Sequence, residues 1–119
     1  MYTRNQEYRR QEVLGATPLR LVIMAYDLAI RSCDQKDFAT ATKAVGALQD
    51  ALDLDYAEIA YNLLSLYQWV LDRLRKGEFS AAKATLVELR DAWVIVERNL
   101  NASVTTNVQQ GASMAVRAA

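Results

Sequence analysis

The sequence contains no histidine, one cysteine and one proline among its 119 residues. The missing histidine removes the side chain most used for proton transfer near neutral pH, and the commonest metal ligand. A lone Cys33 cannot form an intramolecular disulfide, which fits a reducing compartment. One proline and four glycines leave few interruptions, so a chain rich in alanine and leucine is expected to be helical. No stretch approaches the roughly 18 uncharged apolar residues of a membrane helix. Met1 to Arg10 hold no apolar run, so neither membrane insertion nor secretion is expected. Fourteen basic side chains balance fourteen acidic ones, which gives no electrostatic footprint for nucleic acid.

What is present is helical periodicity, in a length that suits one domain. Thr17-Pro18 predicts a helix start, with Thr as N-cap and Pro at the first helical position. Leu19, Val22, Tyr26, Ala29 and Cys33 form its stripe, and Leu21, Met24 or Ala25, and Leu28 form a second row. Asp37 can cap a second helix with the seam Phe38, Ala41, Val45, Leu48 and Leu52. Asp55 with Glu58 imitates a capping box for a third helix. Its broad face carries Ile59, Leu63, Leu66, Tyr67, Val70 and Leu74, while Ala60, Leu64 and Leu71 lie on another. Gly77 supplies the stop. Ser80 can cap a fourth helix, with Leu86, Leu89, Trp93, Val96 and Leu100 as its seam and a fraying end near Asn101.

Four amphipathic helices with short links predict an all-α fold, an antiparallel up-down four-helix bundle over residues 17–101. Residues 1–16 precede it as an N-terminal arm. Residues 102–119 read as a flexible tail or a weak fifth helix, with Gly111 in its middle. Asp37-Phe38-Ala39-Thr40-Ala41 resembles Glu78-Phe79-Ser80-Ala81-Ala82. Two similar helix starts explain this better than a repeat array, which needs at least three units.

Motifs for chemistry are mostly missing. Asp53, Asp55 and Glu58 lack the central Gly and distant Glu of a calcium loop and read as a solvated helix start. Cys33 has no histidine to activate it and lies on an apolar stripe, as a structural thiol does. Asp50 with Asp53, and Glu88 with Asp91, read as exposed helix charges. There is no Gly-rich phosphate loop. Asn101-Ala102-Ser103 matches a glycosylation sequon with no signal peptide ahead of it. No enzyme and no cofactor is expected. Trp93 lies on a seam and reads as core, whereas Trp69 is offset from its helix's main face and is the better surface candidate. The bundle thus has more apolar helix surface than four seams need, and such surplus usually serves partner binding. A general helical adaptor or a tetratricopeptide-like interaction module satisfies that reading too.

Three segments narrow it. Tyr8, Val13, Ala16-Thr17-Pro18, Leu21, Met24 and Tyr26-Asp27 resemble the opening of the flagellar export chaperone family FliS. Ala25 stands where that family commonly has Leu. Ile59-Ala60, Asn62-Leu63, Leu66-Tyr67, Trp69 and Arg73-Leu74 resemble its third helix, and Leu89-Arg90-Asp91-Ala92-Trp93 resembles its Arg-x-Ala-Trp ending. The departures are Tyr56-Ala57 in place of a Gly pair, Trp69 in place of Tyr, and a first-to-second helix link roughly ten residues short, so both helices should lose turns.

The resemblance implies a bacterial cytoplasmic chaperone. It would bind the C-terminal segment of flagellin, prevent premature polymerisation and keep the client competent for type III export. The flagellar export gate and regulatory proteins are further implied partners. The second apolar rows suggest a client groove of Leu21, Met24, Leu28, Leu64, Leu71 and Trp69, with completion of the core as the alternative. Tyr8 and Val13 match arm positions that can fold over the client site as a flap.

Overall fold

The computed structural model describes residues 15–103. Among them are four α-helices and no strand: α1 (Pro18–Asp34), α2 (Phe38–Asp50), α3 (Ala57–Arg75) and α4 (Phe79–Ala102), with a 3-10 turn at Leu54–Tyr56. The arm residues Tyr8 and Val13 and the tail from residue 104 lie outside the described residues.

Local chemistry explains the boundaries. The Thr17 hydroxyl accepts the Arg20 backbone N–H at 3.1 Å, and Pro18 opens α1 as expected. The Asp37 carboxylate accepts the Thr40 N–H at 3.1 Å and caps α2. These hydrogen bonds with Thr40 hold the Asp37 carboxyl below the usual carboxylate range. Helices α1 and α3 end in the same way. At the end of α3 the Gly77 N–H reaches the Leu74 carbonyl at 3.0 Å and the Glu78 N–H reaches Arg73 at 2.9 Å, with Gly77 at φ +73°. This is a Schellman motif, and glycine fits its left-handed residue. At the end of α1 the Lys36 N–H reaches Cys33 at 3.1 Å and the Asp37 N–H reaches Ser32 at 2.8 Å, with Lys36 at φ 53°. The resemblance between residues 37–41 and 78–82 is therefore two helix starts, each following a Schellman stop.

Two caps differ from expectation. Asp53, not Asp55, acts as a cap: it accepts the Asp55 N–H at 3.0 Å and starts the 3-10 turn, so α3 begins at Ala57 with no side-chain cap. Helix α4 starts at Phe79 behind Glu78, which places Ser80 inside the first turn.

The α1 stripe of Leu19, Val22, Tyr26, Ala29 and Cys33 is buried, and Ile23 joins it. Ala41, Val45 and Leu48 bury the α2 seam together with Ala44, while Phe38 stays exposed. In α3 the core face is Ala60, Leu63, Tyr67, Val70 and Leu74. Ile59 and Leu66, expected there, are 46% and 39% exposed. Each helical residue turns the side-chain direction by roughly 100°, so Leu66 points well aside from Tyr67. Trp93 is half-buried and packs against both the main core and a smaller cluster of Leu19 and Ile23.

Helix α1 packs against α2 and α4, and α3 packs against the same two, so α1 and α3 hold diagonal corners. Tyr26 and Tyr67 join that diagonal. Their hydroxyls are 2.5 Å apart and both rings are fully buried. Burial pushes both phenols up, and hydrogen bonding to Tyr67 and Trp93 partly offsets this for Tyr26.

Three ion pairs show that α1 and α4 run in opposite directions. Arg20 grips Glu97 through two nitrogens, Arg90 Nε donates to Asp27 at 2.8 Å, and Lys83 Nζ donates to Asp34 at 2.6 Å. Positions 20, 27 and 34 ascend α1 while 97, 90 and 83 descend α4. Surface pairs contribute roughly 0–1 kcal/mol each, whereas burying an Ile or Leu contributes about 1.5–3 kcal/mol. The Leu19–Ile23–Trp93 cluster therefore supplies most of the attraction on this seam, and the charges fix its register.

Candidate functional site: an apolar groove between the first two helices

The start of α1 and the end of α2 do not close on each other. Between them lies a groove of about 320 Å³ lined by Pro18, Leu21, Val22, Ala25, Ala47, Leu48 and Ala51. Its cause is side-chain size. Three of the seven lining residues are alanines, which stop at Cβ where longer side chains would fill the gap. Val22 and Leu48 form the floor because they are buried in the main core. Leu21, 41% exposed, forms a rim. All seven side chains are apolar, so the groove offers contact area and shape but no acid, base or nucleophile.

Among the described residues, Leu21 is the one predicted site residue that lines this groove. Leu28, 37% exposed, extends the same row two turns along α1, and the half-buried Met24 sits beside that row. The other three lie on α3. Leu64 and Leu71 are half-buried, and Leu71 packs against the main core. Trp69 is 43% exposed, with the Arg73 guanidinium 5.4 Å from its ring centre. Since α1 and α3 stand diagonally, the six residues divide into two surfaces. Sequence reasoning missed the α2 side of the groove, because Ala47 and Ala51 signal only by lacking volume.

Among the described residues no group of His, Cys, Asp and Glu could hold a metal ion. Cys33 is buried, and burial pushes its thiol up, helped by Asp34 and opposed by Lys83. A thiol held protonated is a poor nucleophile. Among the described residues no helix is long and apolar enough to cross a membrane.

No curated protein and no solved structure matches the chain. The family described as Flagellar protein FliS matches residues 1–100, and by that match over most of its length the chain belongs to the FliS family of flagellar export chaperones.

Proposed function

We propose that the chain is a bacterial cytoplasmic chaperone that holds the C-terminal segment of flagellin in the α1–α2 groove. Holding that segment prevents premature polymerisation and keeps flagellin competent for type III export. The observation that carries the reading is the open, wholly apolar groove in a member of this family. A client helix would place apolar side chains against Leu21, Val22 and Leu48, and its exposed row would continue over Met24 and Leu28. Leu64, Leu71 and Trp69 offer a second apolar surface to a client that wraps around the bundle. The client orders as it binds, which lowers affinity per unit area but permits a large interface. The export gate and regulatory proteins remain proposed further partners. The reading also takes the four helices as an up-down bundle, supported by the opposed α1 and α4 and by the short links at residues 35–37 and 76–78.

The arm is a competitor for the groove in this reading. It precedes the groove residue Pro18 in the chain, with Val13 and Tyr8 five and ten residues before it in sequence. Deleting residues 1–14 should raise the client on-rate, and an unchanged rate counts against a flap. The direct test of function is calorimetric titration with a flagellin C-terminal peptide. Saturable binding at one site is expected, and no binding at tens of micromolar, roughly the weak end for such interfaces, rejects flagellin as client.

A further inference from the structure

The α1–α2 groove opens at the end of the bundle where α4 stops. Pro18 opens α1 and Ala51 follows α2, and both line the groove. Across the other flank of α1, Arg20 grips Glu97, and Leu100 packs against the cluster of Leu19 and Ile23. The last turns of α4 therefore stand beside the first turn of α1. There the Ser103 N–H donates to the Asn99 carbonyl at 3.1 Å and closes the helix. The chain thus leaves α4 about one helix width, roughly 10–12 Å, from the groove. Residues 104–119 continue from that point and lie beyond the residues that match the family.

Their composition suits the groove. All seven lining side chains are apolar, so a charge drawn between them would lose water and gain no partner. Residues 104–119 carry one charged side chain, Arg117, directly after the apolar run Met114-Ala115-Val116. The arm, by contrast, carries Arg4, Glu7, Arg9, Arg10 and Glu12 within residues 1–14. Reach is sufficient, because residues 104–113 can span up to roughly 35 Å before Met114. A segment joined by so short a connection competes at an effective concentration on the order of millimolar. We propose that residues 104–119 occupy the α1–α2 groove of their own chain when no client is bound. Met114-Ala115-Val116 then lies against Leu21, Val22 and Leu48, and a client enters by displacing it. The arm, with its charges in water, is left to the rim.

The proposal rests on the groove as a docking site, not on flagellin as its client, and its test contains no client. A photo-crosslinking amino acid replaces Ala47, an exposed groove residue, in the full chain. A second variant carries the label at Glu88, on the exposed face of α4. After irradiation at low concentration, mass spectrometry of the digested product locates the adducts. Position 47 should label residues 104–119 in a product of monomer mass, and position 88 should give none above background. Met114→Asp with Val116→Asp should cut the yield from position 47 roughly tenfold, because the groove offers a carboxylate no partner. Circular dichroism confirms folding of each variant, and the exposed Ala51 takes the label if position 47 does not tolerate it. No adduct on residues 104–119 overturns the proposal, as does labelling of residues 1–14 in their place. So do adducts found only between two copies, equal labelling from positions 47 and 88, or a yield that the double substitution leaves unchanged.

Discussion

Helix α1 has two flanks, and they are built on opposite principles. Toward α4 it carries Arg20, Asp27 and Asp34, each matched by a partner of opposite charge, above an apolar floor of Leu19 and Ile23. Toward α2 it carries Leu21 and Ala25, which face Ala47 and Ala51 across open space. The first seam is closed, and its charges permit one register. The second is wholly apolar and leaves about 320 Å³ unfilled. A helix spared the groove by larger residues on α2 would gain packing and lose its place for a partner. The difference therefore separates what holds the bundle together from what it can hold.

Substitutions on the two flanks should part company accordingly. The largest effect expected is on binding: Leu21→Glu with Leu28→Glu should weaken a flagellin C-terminal peptide roughly 100-fold, about 3 kcal/mol. Both side chains are more than a third exposed, so the melting temperature should hardly move. A large fall in melting temperature instead would mean that these residues serve the core. Next comes the diagonal that supports both flanks. Tyr67→Phe takes one of two hydrogen-bond partners from the buried Tyr26 hydroxyl, leaving Trp93, and should cost about 1 kcal/mol of stability. Tyr26→Phe with Tyr67→Phe should cost less than the two single changes summed, measured by urea unfolding. On the closed seam, Arg90→Ala removes a pair whose partners are each about a third exposed. It should cost less than about 1 kcal/mol and leave peptide affinity unchanged. The smallest effect is a gain at the joint of α1 and α2. Lys36 holds the left-handed position that Gly77 holds after α3, and Lys36→Gly should stabilise by roughly 0.5–1 kcal/mol.

Much of this was legible in the sequence. The α1 stripe, the Thr17 and Asp37 caps and the Gly77 stop follow from local chemistry, and local chemistry is what a sequence displays. The start of α3 was misread because Asp53 and Asp55 are equivalent in type, and only the 3-10 turn decides which of them caps. Ile59 and Leu66 read as core because α3 is apolar around more than half its circumference, and periodicity cannot tell which arc faces inward when both are apolar. The groove was half legible. Leu21 and Leu28 stand out as surplus leucines on α1, but Ala47 and Ala51 make their contribution by being small. A void between two helices depends on how far apart they lie, and that is a tertiary property.

The most direct measurement places the client on the surface of the folded chaperone. A photo-crosslinking amino acid at Ala47, in the groove, is compared with the same label at Glu88, on the exposed face of α4. Irradiation with a flagellin C-terminal segment should give adducts from position 47 and none above background from position 88. Adducts from position 88 with none from position 47 would contradict the groove as the client site.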